Sequence, residues 1–84
     1  MNLDELRKQI DIIDEQMMDL FRKRMDVSLA IGQYKKENHL PVFDPKRESE
    51  LLEKRRVAYG DEKTWPIYAS FLNHLMDLSK AYQK

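Results

Sequence analysis

The side chains of this chain that could do chemistry are cations, one carboxylate, a hydroxyl and an amide. In order they are Arg7, Arg24, Lys35, Arg47 with Glu48, and Ser79 with Gln83. Arg24 and Lys35 stand eleven residues apart, close to three full helical turns, so they point the same way about 16 Å apart along the axis. Long side chains can converge on a small anion across that gap. Arg7 lies about 25 Å from Arg24 along the same axis and faces about 100° away. One small ligand cannot touch both from one straight helix, so an Arg7 in the site has to come from a second copy of the chain. Asp44, Arg47 and Glu48 fall in "DPKRE", where free backbone N–H groups open a helix and welcome an anion or hydroxyl. Ser79 and Gln83 are four apart and share a helix face. There is no Cys, and the two histidines, His39 and His74, are not at zinc-site spacing. The inventory therefore predicts neither a metal nor a covalent intermediate, and no cofactor. It suits binding a compact polyanion and stabilising charge that develops on it.

The elements that must position these groups are helices. From Leu3 the apolar residues Leu6, Ile10, Ile13, Met17, Leu20, Val27, Ile31 and Tyr34 recur in steps of three and four, with Arg24 the one charged member of the seam. This heptad pattern predicts a first helix over about residues 3 to 36. Asn2 or Asp4 marks its start, and Asn38 and Pro41 mark its end. Asp44 followed by Pro45 opens a second helix that runs to about Val57, with Leu51 and Leu52 as apolar contacts. Gly60 is its terminator. Thr64 and Pro66 begin a third helix with the apolar set Ile67, Phe71, Leu75, Leu78 and Tyr82, beside a line of Tyr68, Leu72, Met76, Ser79 and Gln83. The expected fold is all-α, three helices in the order long–short–long, forming a single domain over residues 1–84. A 34-residue helix spans about 50 Å, whereas a compact globule of 84 residues has a radius of gyration of about 12 Å. The rest of the chain cannot wrap such a helix, which predicts a homodimer with two long helices packed together.

Composition narrows the function classes. Fifteen basic and fifteen acidic side chains give zero formal net charge, which argues against a nucleic-acid partner. Neither a signal peptide nor a membrane span is present, so no membrane partner is expected and a cytoplasmic protein is the default.

The segments "LRKQIDIIDEQMMDLFRKRM", "AIGQYKKEN", "PVFDPKRESELL" and "SKAYQ" together resemble the all-helical (type II) class of chorismate mutase over essentially the whole chain. The family pattern has an Arg near the start of helix one, an Arg at mid-helix and a Gly-x-x-Lys. An Asp-x-x-Arg-Glu opening helix two and a Ser-x-x-x-Gln near the end complete it. All are present in order as Arg7, Arg24, Gly32 to Lys35, Asp44 to Glu48, and Ser79 to Gln83. The resemblance implies an intertwined homodimer with two equivalent sites, each completed by the partner's Arg7. It implies conversion of chorismate to prephenate in phenylalanine and tyrosine biosynthesis. It also implies roles. Arg7 and Arg24 clamp carboxylates, and Lys35 and Gln83 donate to the ether oxygen. Glu48, Arg47 and the Asp44 backbone address the ring hydroxyl side, Ser79 assists with a carboxylate, and Ile31 and Met76 form apolar walls. Lys80 receives no role. Two other readings compete: an isochorismate–pyruvate lyase on the same fold, and a non-catalytic helical dimerisation or metabolite-sensing module in which acidic side chains fill the space around Arg24.

Overall fold

The computed structural model describes residues 2–83 and contains three helices, α1 (Leu3–Glu37), α2 (Pro45–Tyr59) and α3 (Trp65–Gln83), with no strand among those residues. Each boundary has a local cause. Asn2 is extended and its side-chain oxygen accepts the Glu5 N–H at 2.9 Å, while Asp4 and Glu5 face the positive end of the helix dipole. At the far end Asn38 caps α1 and His39 enters the left-handed region at φ 54. The Leu40 N–H then reaches back to the Lys35 carbonyl at 2.7 Å, and the His39 N–H to that of Lys36 at 3.4 Å. This paired closure is a Schellman motif, and it turns the chain back beside Lys35.

Asp44 caps α2 as expected, accepting the Arg47 N–H at 3.1 Å with Pro45 at the first position. The helix runs two residues beyond Val57, to Tyr59. It ends where Gly60 can take φ 73 and close its N–H on the Arg56 carbonyl. Thr64 precedes α3, but its hydroxyl donates to Asp61 Oδ2 at 2.8 Å and shares a 2.7 Å hydrogen bond with the Tyr59 hydroxyl. Tyr59 also stacks on Tyr68, ring centroids 5.1 Å apart, and tilts against Trp65. These contacts tie α2 and α3 into a hairpin.

α3 packs against both other helices, whereas α1 and α2 do not touch among the described residues. Arg24 and Ser28 meet Ser79, and Lys35 meets Gln83, so α1 and α3 run in the same direction. The joint is narrow. Its buried members are Ser28 and Gly32 of α1 and Leu72, Met76 and Ser79 of α3. The inward line of α3 is thus the one containing Leu72, Met76 and Ser79. Ile67, Phe71, Leu78 and Tyr82, from the more apolar set, stay exposed because the small residues of α1 admit only the neighbouring line. The heptad seam is also uncovered: every apolar member from Leu3 to Tyr34 is 42–63% exposed. Arg24 stands at the border between that seam and the Ser28–Gly32 stripe, which explains how a charged residue joined an apolar pattern. No described helix is long and apolar enough to cross a membrane.

Candidate functional site

The site grows from the α1–α3 joint. Arg24 Nη1 donates to Ser79 Oγ at 2.9 Å, one turn of α3 before Gln83. Ser28, one turn along α1, is 4% exposed. Its hydroxyl shares a short hydrogen bond with Ser79 Oγ and receives one from Gln83 Nε2 at 3.2 Å. A further turn along, Gly32 lies flat against the end of α3. A Cβ built there would stand 2.8 Å from the Gln83 carbonyl oxygen and 2.9 Å from its Cα. Glycine is what lets Gln83 approach α1 at this point. Lys35 closes the row: its ammonium donates to Gln83 Oε1 at 3.2 Å and to the Val42 carbonyl at 2.9 Å. The turn at His39 delivers that carbonyl, so a backbone cap positions the Lys35 ammonium.

This row leaves donors in excess. Arg24 uses one N–H of its guanidinium on Ser79, and Lys35 keeps one of its protons unused. Gln83 Nε2 likewise has a second proton beyond the one given to Ser28. No acidic side chain pairs with Arg24 or Lys35 among the described residues. Two cations and an amide held by neutral partners make a row of donors suited to carboxylates and to an oxygen on which negative charge grows.

Beside the row, Lys80 bridges α3 to α2. Its ammonium reaches both Glu48 oxygens, at 3.0 and 3.3 Å, and lies 3.4 Å from Asp77. It also sits 4.5 Å above the Phe43 ring, a cation–π contact. The hydrogen bond to Glu48 raises the Lys80 pKa above its ordinary 10.5. Glu48 and Lys80 are each about one-quarter exposed.

Of the residues singled out in the sequence, the structure gathers Arg24, Lys35, Ser79 and Gln83 into one connected set and ties Glu48 to Lys80, the residue after Ser79. Met76 is buried in the joint, whereas Ile31 is 44% exposed on the seam side of α1. Asp44 and Arg47 are exposed and bonded to each other as helix cap and first turn. Arg7 is exposed near the start of α1, far from the set. Two participants escaped the sequence reading. Ser28 was invisible because its partners are 51 and 55 residues away. Lys80 carried no signal beyond being a lysine next to Ser79.

Comparison with known proteins gives the arrangement a context. Residues 6–84 match the chorismate mutase type II family. A bifunctional chorismate mutase/prephenate dehydratase from Aquifex aeolicus is 35% identical across 93% of this chain, which spans only 24% of that relative's length. A 4-amino-4-deoxychorismate mutase from Streptomyces venezuelae is 32% identical over 90% of this chain and 71% of its own. A solved structure of a conserved hypothetical protein from Pyrococcus furiosus superposes with a TM-score of 0.75 at 39% identity, covering 98% of this chain and 95% of that one.

Proposed function

Because the chain belongs to the chorismate mutase type II family, we propose that it rearranges chorismate to prephenate, in the cytoplasm, as an intertwined homodimer with two equivalent sites. The observation that carries this reading is the gathering of Arg24, Lys35, Ser79 and Gln83, drawn from distant stretches of sequence, into one connected row rich in unused donors.

The reaction is pericyclic: one C–O bond breaks while one C–C bond forms, with no proton transfer and no covalent intermediate. The protein contributes orientation and charge. Arg24 and Arg7 of the partner subunit hold the two carboxylates, with Ser79 assisting Arg24, so the enol-pyruvyl side chain lies over the ring. Lys35 and Gln83 donate to the ether oxygen, where negative charge develops. Lys35 is held in advance by the Val42 carbonyl and by Gln83 itself, so little reorganisation accompanies the reaction. Glu48, Arg47 and the Asp44 backbone face the ring substituent. Ile31 and Met76 flank the reacting carbons. The open heptad seam supports the dimer, since a second α1 is the simplest cover for it. One of the relatives described above is named for chorismate and another for its 4-amino-4-deoxy analogue; the ring hydroxyl of chorismate is the substituent assigned to this site.

The test is loss of chorismate by the purified protein with identification of the product. Prephenate is expected; released pyruvate from isochorismate would identify a lyase instead. Lys35→Ala should lower kcat/KM by about 10²- to 10³-fold. Arg7→Ala and Arg24→Ala should each be inactive alone. Unfolded and refolded together in equal amounts, they should recover about a quarter of the unaltered activity, because half the dimers are mixed and each carries one intact site. No recovery on mixing would place Arg7 outside the site.

A further inference from the structure

Lys80 has no part in the chemistry described above, yet it pairs with Glu48, the carboxylate assigned to the ring substituent. Lys80 follows Ser79 directly on α3. Ser79 turns to α1 and Arg24, while Lys80 turns to α2 and covers both oxygens of Glu48 at 3.0 and 3.3 Å. Its position is set from several sides: the Phe43 ring lies 4.5 Å from the ammonium, and Asp77 lies 3.4 Å away. Lys80 also lines a surface hollow of about 340 Å³ with Val42, Phe43, Asp77 and Ala81, on the side of the loop whose Val42 carbonyl holds Lys35.

We propose that Lys80, acting through Glu48, makes this site select a hydroxyl over an amine on the substrate ring. The inference rests on the mutase reading, in which Glu48 faces that ring position. An ionised carboxylate has about four lone-pair sites, and Lys80 occupies one on each oxygen. The remaining sites accept a hydrogen bond from a neutral hydroxyl at no electrostatic cost. A ring amine is protonated at neutral pH. It would share one carboxylate with the Lys80 ammonium, so two like charges would face each other across Glu48. Juxtaposed like charges are an effective device for refusing a wrong partner. With Lys80 removed, Glu48 becomes an unpaired anion and the natural counterion for that amine. Lys80 is in these terms a positioning residue: it leaves the ether oxygen to Lys35 and Gln83 and sets the charge that Glu48 presents.

The experiment measures kcat/KM for chorismate and for 4-amino-4-deoxychorismate with the unaltered protein, Lys80→Met, Lys80→Gln and Lys80→Arg, each checked for helix content. The unaltered protein and Lys80→Arg should favour chorismate. Lys80→Met and Lys80→Gln should lower that preference by about tenfold or more, chiefly by raising kcat/KM for the amino substrate. A general structural defect would lower both values together and leave the ratio unmoved. An unmoved ratio in both neutral variants, with chorismate still turned over, overturns the selection role and leaves the mutase reading standing. Turnover of neither substrate by the unaltered protein overturns both.

Discussion

Gly32 shows how one missing methyl group sets the site. Its neighbours across the joint are the carbonyl oxygen, Cα and Cβ of Gln83, all within 2.9 Å of where a Cβ would be. None is the tip of a flexible side chain, so the last turn of α3 must move if Gly32 acquires one. Gly32→Ala gains about 1 kcal/mol of helix propensity but overpacks the joint at about 1–3 kcal/mol, so stability should be unchanged or lower. Activity should fall much further, by about 10²-fold, since a displacement of about 1 Å in a positioned donor costs that much. Thermal melts and kcat together check this; an unimpaired kcat would show that Gln83 needs no such closeness. The raised Lys80 pKa gives a second readout. A group with a raised folded pKa contributes stability that is fully present below its ordinary 10.5 and is lost as pH climbs through the higher folded value. Alkaline destabilisation should therefore be steeper in the unaltered protein than in Lys80→Met. The residue types of the site were legible in their order along the chain: Arg24, Lys35, Glu48, Ser79 and Gln83 all fall in the gathered set or against it. Their internal wiring was not. Ser28 acts only through contacts made across the folded joint, and a serine on a helix face has no distinguishing local pattern. The meaning of Gly32 likewise depends on a helix that ends some fifty residues later.

Local chemistry made the elements the most readable level. Asn2, Asp44–Pro45 and Gly60 each do at their helix ends what their types predict. Asn38 and Pro41 mark the end of α1 in the sequence, but the residue that carries the closure is His39, a non-glycine at φ 54. Left-handed backbone costs an L-residue with a Cβ about 1–2 kcal/mol, and glycine there sacrifices part of the difference in unfolded-chain entropy. His39→Gly should raise stability by about 0.5–1 kcal/mol in denaturant unfolding, while leaving the Val42 carbonyl on Lys35 and activity intact. A destabilised variant would mean that the imidazole does more than occupy the turn. The α2–α3 connection is governed by Asp61, whose hydrogen bonds from the Thr64 hydroxyl and the Lys63 N–H lower its pKa below 3.8. That contribution is present above 3.8 and is lost as pH falls through the lower folded value. The penalty of Asp61→Ala, measured as a melting difference, should be full at neutral pH and shrink in strong acid. What sequence periodicity could not decide was which of two adjacent lines on α3 turns inward. Both are partly apolar, and the choice was made by the small residues Ser28 and Gly32 on the opposite helix.

The dimensions of the chain support the proposed dimer. Its radius of gyration is 16.0 Å and its extents are 54 × 26 × 16 Å, against about 12 Å for a compact globule of this length. A folded monomer of 10.1 kDa exposes about 5,300 Å², whereas this chain exposes 7047 Å². The excess is roughly 1,700 Å² per chain, so pairing two chains could bury roughly 3,500 Å², within the range of obligate dimers. The length of α1 and the period of its seam were both legible. Not legible was that the chain's own α3 docks on the polar stripe beside the seam and leaves the seam open. Leu72 and Met76 are the only buried hydrophobic residues among those described, too small a core to hold three helices by itself. Stability of the proposed dimer is then inseparable from protein concentration. Sedimentation should give twice 10.1 kDa, and the midpoint of thermal or denaturant unfolding should rise as protein concentration rises, with helix content and chorismate turnover lost together on dilution. Ile13 lies within the seam, well before Arg24, and is 48% exposed. A carboxylate there would be buried unpaired against a second α1 at a cost of several kcal/mol. Ile13→Glu should therefore lower the midpoint and favour monomers without touching Arg24, Lys35 or Gln83. A midpoint independent of concentration at a mass of 10.1 kDa would remove both the shared interface and Arg7 from the site.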